Sequence, residues 1–225
     1  MPNKYQTLNT DNLKAVAFDW DNTLALSREA LVRSVNVVLA VFGLGDWENV
    51  KEKRDPNLSF RDNFPLIFGK KADDAYDLYR QVYMQKVNDL IKAPQCASEV
   101  LQYLLHKDIK IVLVTNKDRQ LLEYELPMLY NKEWFNRIVC GHEAPLDKPN
   151  PEQLIYALDG LVPEISEESV WMVGDSSMDS DCALSCDAKA IRIGDPVWDT
   201  KHEEEANDKI TFFNDFSDFF RAIKG

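Results

Sequence analysis

Long apolar runs are missing from this chain. No uninterrupted stretch approaches the roughly 18 residues that a membrane-crossing helix needs, so no membrane span is expected. Positive charge is in short supply: 26 Lys and Arg stand against 38 Asp and Glu, a net charge of −12. A surface of that sign repels phosphodiester backbones and anionic lipid, so no nucleic-acid-binding surface is expected. It leaves room for a small anionic substrate, because a local lysine and a metal ion outweigh distant charge. Cysteine is sparse: Cys96, Cys140, Cys182 and Cys186 are scattered, which suits a reducing, cytoplasmic setting better than a disulfide framework. Met1 to Asn12 is polar and lacks an apolar core, so neither a signal peptide nor an anchor is expected there. Repeats and low-complexity tracts are absent too.

What is present is a rhythm of buried strands and helices. Lys14–Phe18, Lys110–Val114 and Ser169–Val173 are apolar without polar alternation, as parallel strands covered on both faces should be. Arg137–Cys140 and Ala190–Ile193 read as a fourth and fifth strand. Helical patterns fall between them at Ser98–His106, Asp118–Leu126, Pro151–Leu158 and Asp179–Cys186. Such alternation predicts an α/β fold: a Rossmann-like parallel sheet with helices on both faces. With 225 residues, the chain has room for that core plus a small inserted domain.

The insertion is expected between about Leu26 and Ala93. Helical patterns lie at Ser27–Phe42 and Asp73–Ile91, Gly43 to Gly69 reads as loop, with a turn at Asp55-Pro56-Asn57, and no strand is expected. We therefore expect a core domain of residues 1–24 and 94–225 and an α-helical cap of residues 25–93, hinged near Leu24–Ser27 and Lys92–Pro94. The acidic stretch Asp195–Asp208 reads as a solvated loop, and Asp215–Ile223 as a closing helix packed through Phe216, Phe219 and Phe220.

Chemistry converges where the strands end, since ligands of open parallel sheets bind beyond the carboxyl ends of the strands. After Phe18 come Asp19-Trp20-Asp21, two carboxylates two residues apart that near-extended backbone turns to one side. Like charges so crowded need a cation or a metal. After Val114 come Thr115 and Asn116, and after Val173 come Gly174-Asp175-Ser176-Ser177-Met178-Asp179. Asp175 and Asp179 offer hard oxygen ligands suited to Mg2+, and Thr115 can donate to a phosphoryl oxygen. Lys148 sits in Asp147-Lys148-Pro149-Asn150-Pro151, where Asn150 reads as a helix N-cap and Gln153 as its capping-box partner. From that stiff loop Lys148 can neutralise both phosphate and Asp19.

This ordered set resembles the haloacid dehalogenase superfamily, in its phosphoglycolate phosphatase-like branch with a helical cap. The signature residues are Asp19-Trp20-Asp21-Asn22-Thr23-Leu24, Thr115-Asn116, Lys148-Pro149 and Gly174 to Asp179. The resemblance implies that Asp19 is the nucleophile, forming an aspartyl-phosphate, and that Asp21 serves as acid and then base. It implies that Thr115, Asn116 and Lys148 bind the phosphoryl group. It also implies a Mg2+ site made by Asp19, the Asp21 carbonyl, Asp175 and Asp179. The implied protein is a monomeric or homodimeric phosphatase acting on a small phosphorylated metabolite. Because a halide needs no protonated leaving oxygen, Asp21 favours phosphoryl transfer over dehalogenation.

The sequence departs from the family pattern at several points. Trp20 replaces a smaller aliphatic residue and is expected to press on the cap or narrow the pocket. Asn22 replaces Gly, Leu26-Ser27 stands where many relatives have Asp-Ser, and Pro94-Gln95 stands for Pro-Gly. Arg54, Arg61 and Lys70 are candidates for a second anionic group of the substrate, and His142 and Glu143 for the active-site rim. The alternatives are a phosphomutase with the same residues and a catalytically inactive phosphate-binding regulatory module.

Overall fold

The computed structural model describes residues 7–55, 57–194 and 208–225. Six strands form one parallel sheet in the order β3-β2-β1-β4-β5-β6. They are β1 (Ala15–Phe18), β2 (Lys110–Val114), β3 (Arg137–Val139), β4 (Val170–Gly174), β5 (Lys189–Ile193) and β6 (Ile210–Phe213). Five lie within a residue or so of their predicted positions; β6 was not anticipated. Its residues are half exposed, with Ile210 and Thr211 buried and Phe212 and Phe213 not, so it lacks the continuous apolar run of an interior strand.

Alternate residues of each strand feed two separate cores, which is why no strand shows polar alternation. Val16, Phe18, Ile111, Leu113, Trp171 and Val173 point to one face, where α5 (Ala97–His106), α6 (Arg119–Leu129) and α9 (Phe216–Lys224) bring Leu101, Leu104, Leu122 and Phe219. Ala15, Ala17, Val112, Val114 and Met172 point to the other, against Leu154 and Leu158 of α7 (Glu152–Leu158) and Cys182 and Ala183 of α8 (Ser177–Leu184). The small residues of β1 on this second face let helices approach the sheet centre closely. Each fully buried Leu or Phe contributes about 1.5–3 kcal/mol, so the two layers together hold the sheet edges in register.

Between β1 and α5 the chain is helical. α1 (Arg28–Val41) packs against α4 (Ala72–Leu90), and α2 (Trp47–Val50) and α3 (Phe64–Phe68) lie in the stretch between them. The reading of residues 43–69 as loop missed both short helices. Asp46 and Asn49 form a reciprocal capping box that starts α2, and Pro65 occupies the first turn of α3. Phe60, Phe64, Tyr76 and Tyr79 stack edge-on and tilted at 5.0–5.6 Å between ring centres, and they join the apolar cluster on one face of the sheet. The chain leaves and re-enters beside itself: Leu26 and Lys92 form an antiparallel bridge, with the Leu26 N–H donating to the Lys92 carbonyl at 2.8 Å.

Most of the acidic stretch that begins at Asp195 falls outside the described residues, as does Pro56 of the predicted turn. Among the described residues, no helix is long and apolar enough to cross a membrane, and all four cysteines are free thiols.

Candidate active site

The carboxyl ends of β1, β2 and β4 meet at one edge of the sheet. The Asp19 N–H still donates to the Val173 carbonyl of β4 at 2.9 Å, so Asp19 is the last residue held by the ladder. The chain then turns tightly: the Trp20 carbonyl accepts from the N–H groups of Thr23 and Ala25, and Asn22 adopts φ 60°. Asn tolerates that left-handed geometry because its short amide can bond locally. Asp19, Asp21, Thr115, Asn116, Lys148 and Asp175 line one cavity, together with Arg54, Leu58, Phe60 and Arg61 and with Tyr76 and Tyr79 of α4.

Carboxylate oxygens of Asp19, Asp175 and Asp179 lie within 4.8 Å of one another, and all three residues are buried. Lys148 enters this cluster. Its Nζ donates to Asp19 Oδ1 at 2.8 Å, to Asp179 Oδ1 at 2.6 Å and to the Val114 carbonyl at 2.8 Å. Asn116 braces the lysine loop from both directions: its Nδ2 donates to the Lys148 carbonyl at 2.8 Å, and its Oδ1 accepts from the Lys148 N–H at 3.1 Å. Asn150 does not cap α7 as expected. Its Nδ2 donates within the loop to the Asp147 carbonyl, Pro151 occupies the N-cap, and buried Gln153 instead donates to the carbonyls of Thr115 and Cys140 at 3.0 Å each. The two buried carbonyls compete successfully for the amide that a capping box would use.

Gly174 is required by space. A Cβ there would fall 2.2 Å from Asp179 Cγ. Asp179 cannot retreat, because Oδ2 accepts from the Ser176 N–H at 3.1 Å and hydroxyl at 2.7 Å, the capping box of α8.

Electrostatics follow from this crowding. Burial pushes the Asp19 carboxyl up to about 6; Lys148 opposes the shift, while Asp179 and Asp21 add to it. Burial, with Asp179 and Asp19, drives Asp175 well above the usual carboxylate range despite Lys148 and Arg192. Desolvation disfavours the Lys148 ammonium, yet Asp179 and Asp19 outweigh it and hold the charge. One ammonium thus bridges two of the three buried carboxylates, Asp19 and Asp179. Three buried carboxylates gathered this closely are the donor set a hard divalent cation takes, and these residues fit one.

Asp21 is held differently. Ser27 Oγ donates to its Oδ1 at 2.5 Å, and Lys117 Nζ contacts Oδ1 at 2.9 Å and Oδ2 at 3.2 Å. Lys117 also pairs with Glu125 at 3.0 Å, and Glu125 accepts from Trp20 Nε1 at 2.6 Å. Sequence reasoning named neither Lys117 nor Glu125. Lys117 directly follows Thr115-Asn116, so adjacency was the available signal; Glu125 had none. Trp20 is fully buried and does not line the cavity, contrary to expectation; it packs edge-on against Tyr130 at 5.9 Å.

Of the three cationic candidates, Arg54 and Arg61 line the cavity and Lys70 does not. Arg61 is already committed, to Asp62 and to Asp147 at 2.9 Å each. Gly141 makes room for it, since a Cβ there would lie 2.5 Å from both Arg61 Nη1 and the Asn116 carbonyl. His142 and Glu143 lie away from the cavity wall: His142 faces Asp62 at 3.5 Å, and Glu143 pairs with Arg119 at 2.5 Å.

Residues 16–193 match the family model described as haloacid dehalogenase-like hydrolase. The chain belongs to this family. It is accordingly a hydrolase with the family's α/β fold. Among curated proteins, it is 28% identical to the pyrophosphatase PpaX of Bacillus mycoides, over 80% of this chain and 83% of that one. Among solved structures, CbbY from Rhodobacter sphaeroides in complex with phosphate superposes with a TM-score of 0.77 at 18% identity, covering 95% of this chain and 100% of that one. A mutant of the same protein in complex with xylulose-(1,5)bisphosphate gives 0.76 at 18% identity, covering 91% and 95%. These likenesses to solved structures are of fold.

Proposed function

We propose that this family member is a Mg2+-dependent phosphatase that hydrolyses a small phosphate monoester through an aspartyl-phosphate on Asp19. The observation that carries the reading is the Lys148 ammonium, bridging Asp19 and Asp179 in a buried cluster with Asp175. Asp19 Oδ forms a bond to phosphorus as the ester P–O bond breaks, and Asp21 gives its proton to the departing oxygen. Asp21 then takes a proton from the water that attacks the phosphorus, and phosphate leaves with the Asp19 carboxylate restored. Thr115, Asn116 and Lys148 hold the phosphoryl oxygens, so that most of the rate comes from positioning and charge neutralisation. Asp19, the Asp21 carbonyl, Asp175 and Asp179 would hold Mg2+, which when bound supplies positive charge against the phosphoryl oxygens.

In this reading residues 1–24 and 94–225 are the core, and residues 25–93 are a cap swinging on the Leu26–Lys92 bridge to exclude water. The free thiols suit a cytoplasmic setting. The substrate candidates are phosphoglycolate-like, sugar and nucleotide monophosphates, with pyrophosphate added because of the PpaX likeness. The test is release of phosphate from 4-nitrophenyl phosphate with Mg2+, followed by a screen of those compounds. Activity that is lost in Asp19→Asn supports the reading, and equal activity in wild type and variant overturns it. A phosphomutase would return the phosphoryl group to a substrate hydroxyl, which product analysis with a sugar phosphate and its bisphosphate distinguishes.

A further inference from the structure

A buried polar chain runs from Trp20 to Asp21 by way of two residues distant in sequence. Trp20 Nε1 donates to Glu125 Oε2 at 2.6 Å, Glu125 Oε1 pairs with Lys117 Nζ at 3.0 Å, and Lys117 contacts both oxygens of Asp21. The side chains of Lys117 and Glu125 are 3% and 0% exposed. Tyr83 of α4 completes the lysine's surroundings, with its hydroxyl at 3.3 Å and its ring centre at 4.7 Å. Stability alone is a poor reason to build this. A buried ion pair is often no more stable than well-packed apolar residues of the same volume, and loses heavily if one partner goes. What such a chain does supply is direction.

The direction it supplies is that of the Asp21 carboxylate. Asp21 sits in a turn at the cavity wall with its side chain 25% exposed, and beyond the Ser27 hydroxyl its carboxylate is held by Lys117. Trp20 lies between the two acids. Its bond to Glu125 therefore fixes the backbone that carries both, while Lys117 fixes the Asp21 side chain. The same glutamate is the origin of both restraints.

We propose that Trp20, Glu125 and Lys117 form a positioning brace that sets where Asp21 delivers its proton to the leaving oxygen. The inference rests on the reading of Asp21 as general acid. Trp20 and Glu125 lie behind the cavity wall and Lys117 is part of it; in this proposal all three act through Asp21. A misdirected Asp21 matters little when the leaving group departs readily as an anion, and a great deal when it must be protonated to leave.

The experiment measures kcat/KM with Mg2+ across substituted phenyl phosphates, from 4-nitrophenyl to 4-methoxyphenyl, for wild type, Trp20→Phe, Glu125→Gln and Lys117→Met. This parameter reports the first phosphoryl transfer and is blind to hydrolysis of the intermediate. We expect the brace variants to stay within about 3-fold of wild type on 4-nitrophenyl phosphate and to fall toward the roughly 10²-fold worth of general acid catalysis on the 4-methoxyphenyl ester. Equal loss across the series means a merely structural role and overturns the proposal, as does no loss. If Lys117→Met does not fold, Trp20→Phe, which keeps the ring and drops only the N–H, decides the matter. Asp21→Asn separates the two layers. If it too shows no leaving-group dependence, the acid assignment fails and the brace with it. If Asp21→Asn shows the dependence and the brace variants do not, only the brace fails.

Discussion

Lys148 and Asp19 lie 129 residues apart in sequence, yet Lys148 Nζ donates to Asp19 Oδ1 at 2.8 Å in a fully buried contact. The same ammonium serves Asp179, so it is the principal protein charge that lets three carboxylates share this space. Lys148→Met removes it. Breaking a buried pair costs about 3–5 kcal/mol, and losing one preorganised donor to a reacting group costs about 10²–10³ in kcat. Urea unfolding in the presence of a chelator checks the first figure. Steady-state hydrolysis with Mg2+ checks the second.

Asp175 gives a prediction of opposite sign. Its carboxylate is buried among like charges and disfavours ionisation, so without metal it destabilises the fold. Asp175→Asn should raise the melting temperature of the metal-free protein by a few degrees. If Asp175 holds Mg2+ as proposed, wild type should show a further rise with Mg2+ that the variant loses. Differential scanning calorimetry with and without Mg2+ reads both effects in one pair of proteins.

The strands and most of the site residues could be read from the sequence because both obey local rules. A strand buried on both faces has to be apolar throughout, as Ala15–Phe18 and Lys110–Val114 nearly are, and the residue after such a strand falls at the ligand-binding edge. That places Asp19, Thr115 and Asp175 without any knowledge of contacts. Local rules failed where a distant partner decided the outcome. Gln153 has the spacing of a capping-box residue, but two buried carbonyls on other elements claim its amide. Trp20 reads locally as pressing on the cap or narrowing the pocket, because its acceptor, Glu125, lies 105 residues away. Short helices such as Trp47–Val50 carry too few residues for periodicity to show. The β6 strand, Ile-Thr-Phe-Phe, has its apolar run broken at Thr211 and is buried over only half its length, so it does not read as an interior strand.

Gly174→Ala tests the spacing at the end of β4. The added methyl would sit 2.2 Å from Asp179 Cγ and 2.3 Å from its Oδ2. Relief requires Asp179 to leave either the Ser176 capping box or Lys148. Overpacking of this kind costs about 1–3 kcal/mol. The diagnostic outcome is a loss of Mg2+-dependent stabilisation larger than the loss of metal-free stability, because the displaced carboxylate belongs to the proposed metal site. Thermal melts over a Mg2+ titration measure it.

The last prediction concerns the join between the inserted helices and the lysine loop. Arg61 links Asp62 to Asp147, the residue before Lys148, and Asp62 also faces His142. Burial pushes the Asp62 carboxyl up, but bonds from Arg61 and Ser59 outweigh it, and its folded pKa lies below the ordinary value. A depressed folded pKa means that the stabilisation is complete above the unfolded value of about 3.9 and is lost as pH falls through the folded one. Wild type should therefore be more stable than Asp62→Asn at pH 7, by no more than about 1 kcal/mol because the pair is partly solvated. The two should converge as pH drops below about 4. Salt should shrink the gap at pH 7. Chemical denaturation of both proteins at several pH values settles the sign, and a gap that widened on acidification would mean that Asp62 is not held charged by Arg61.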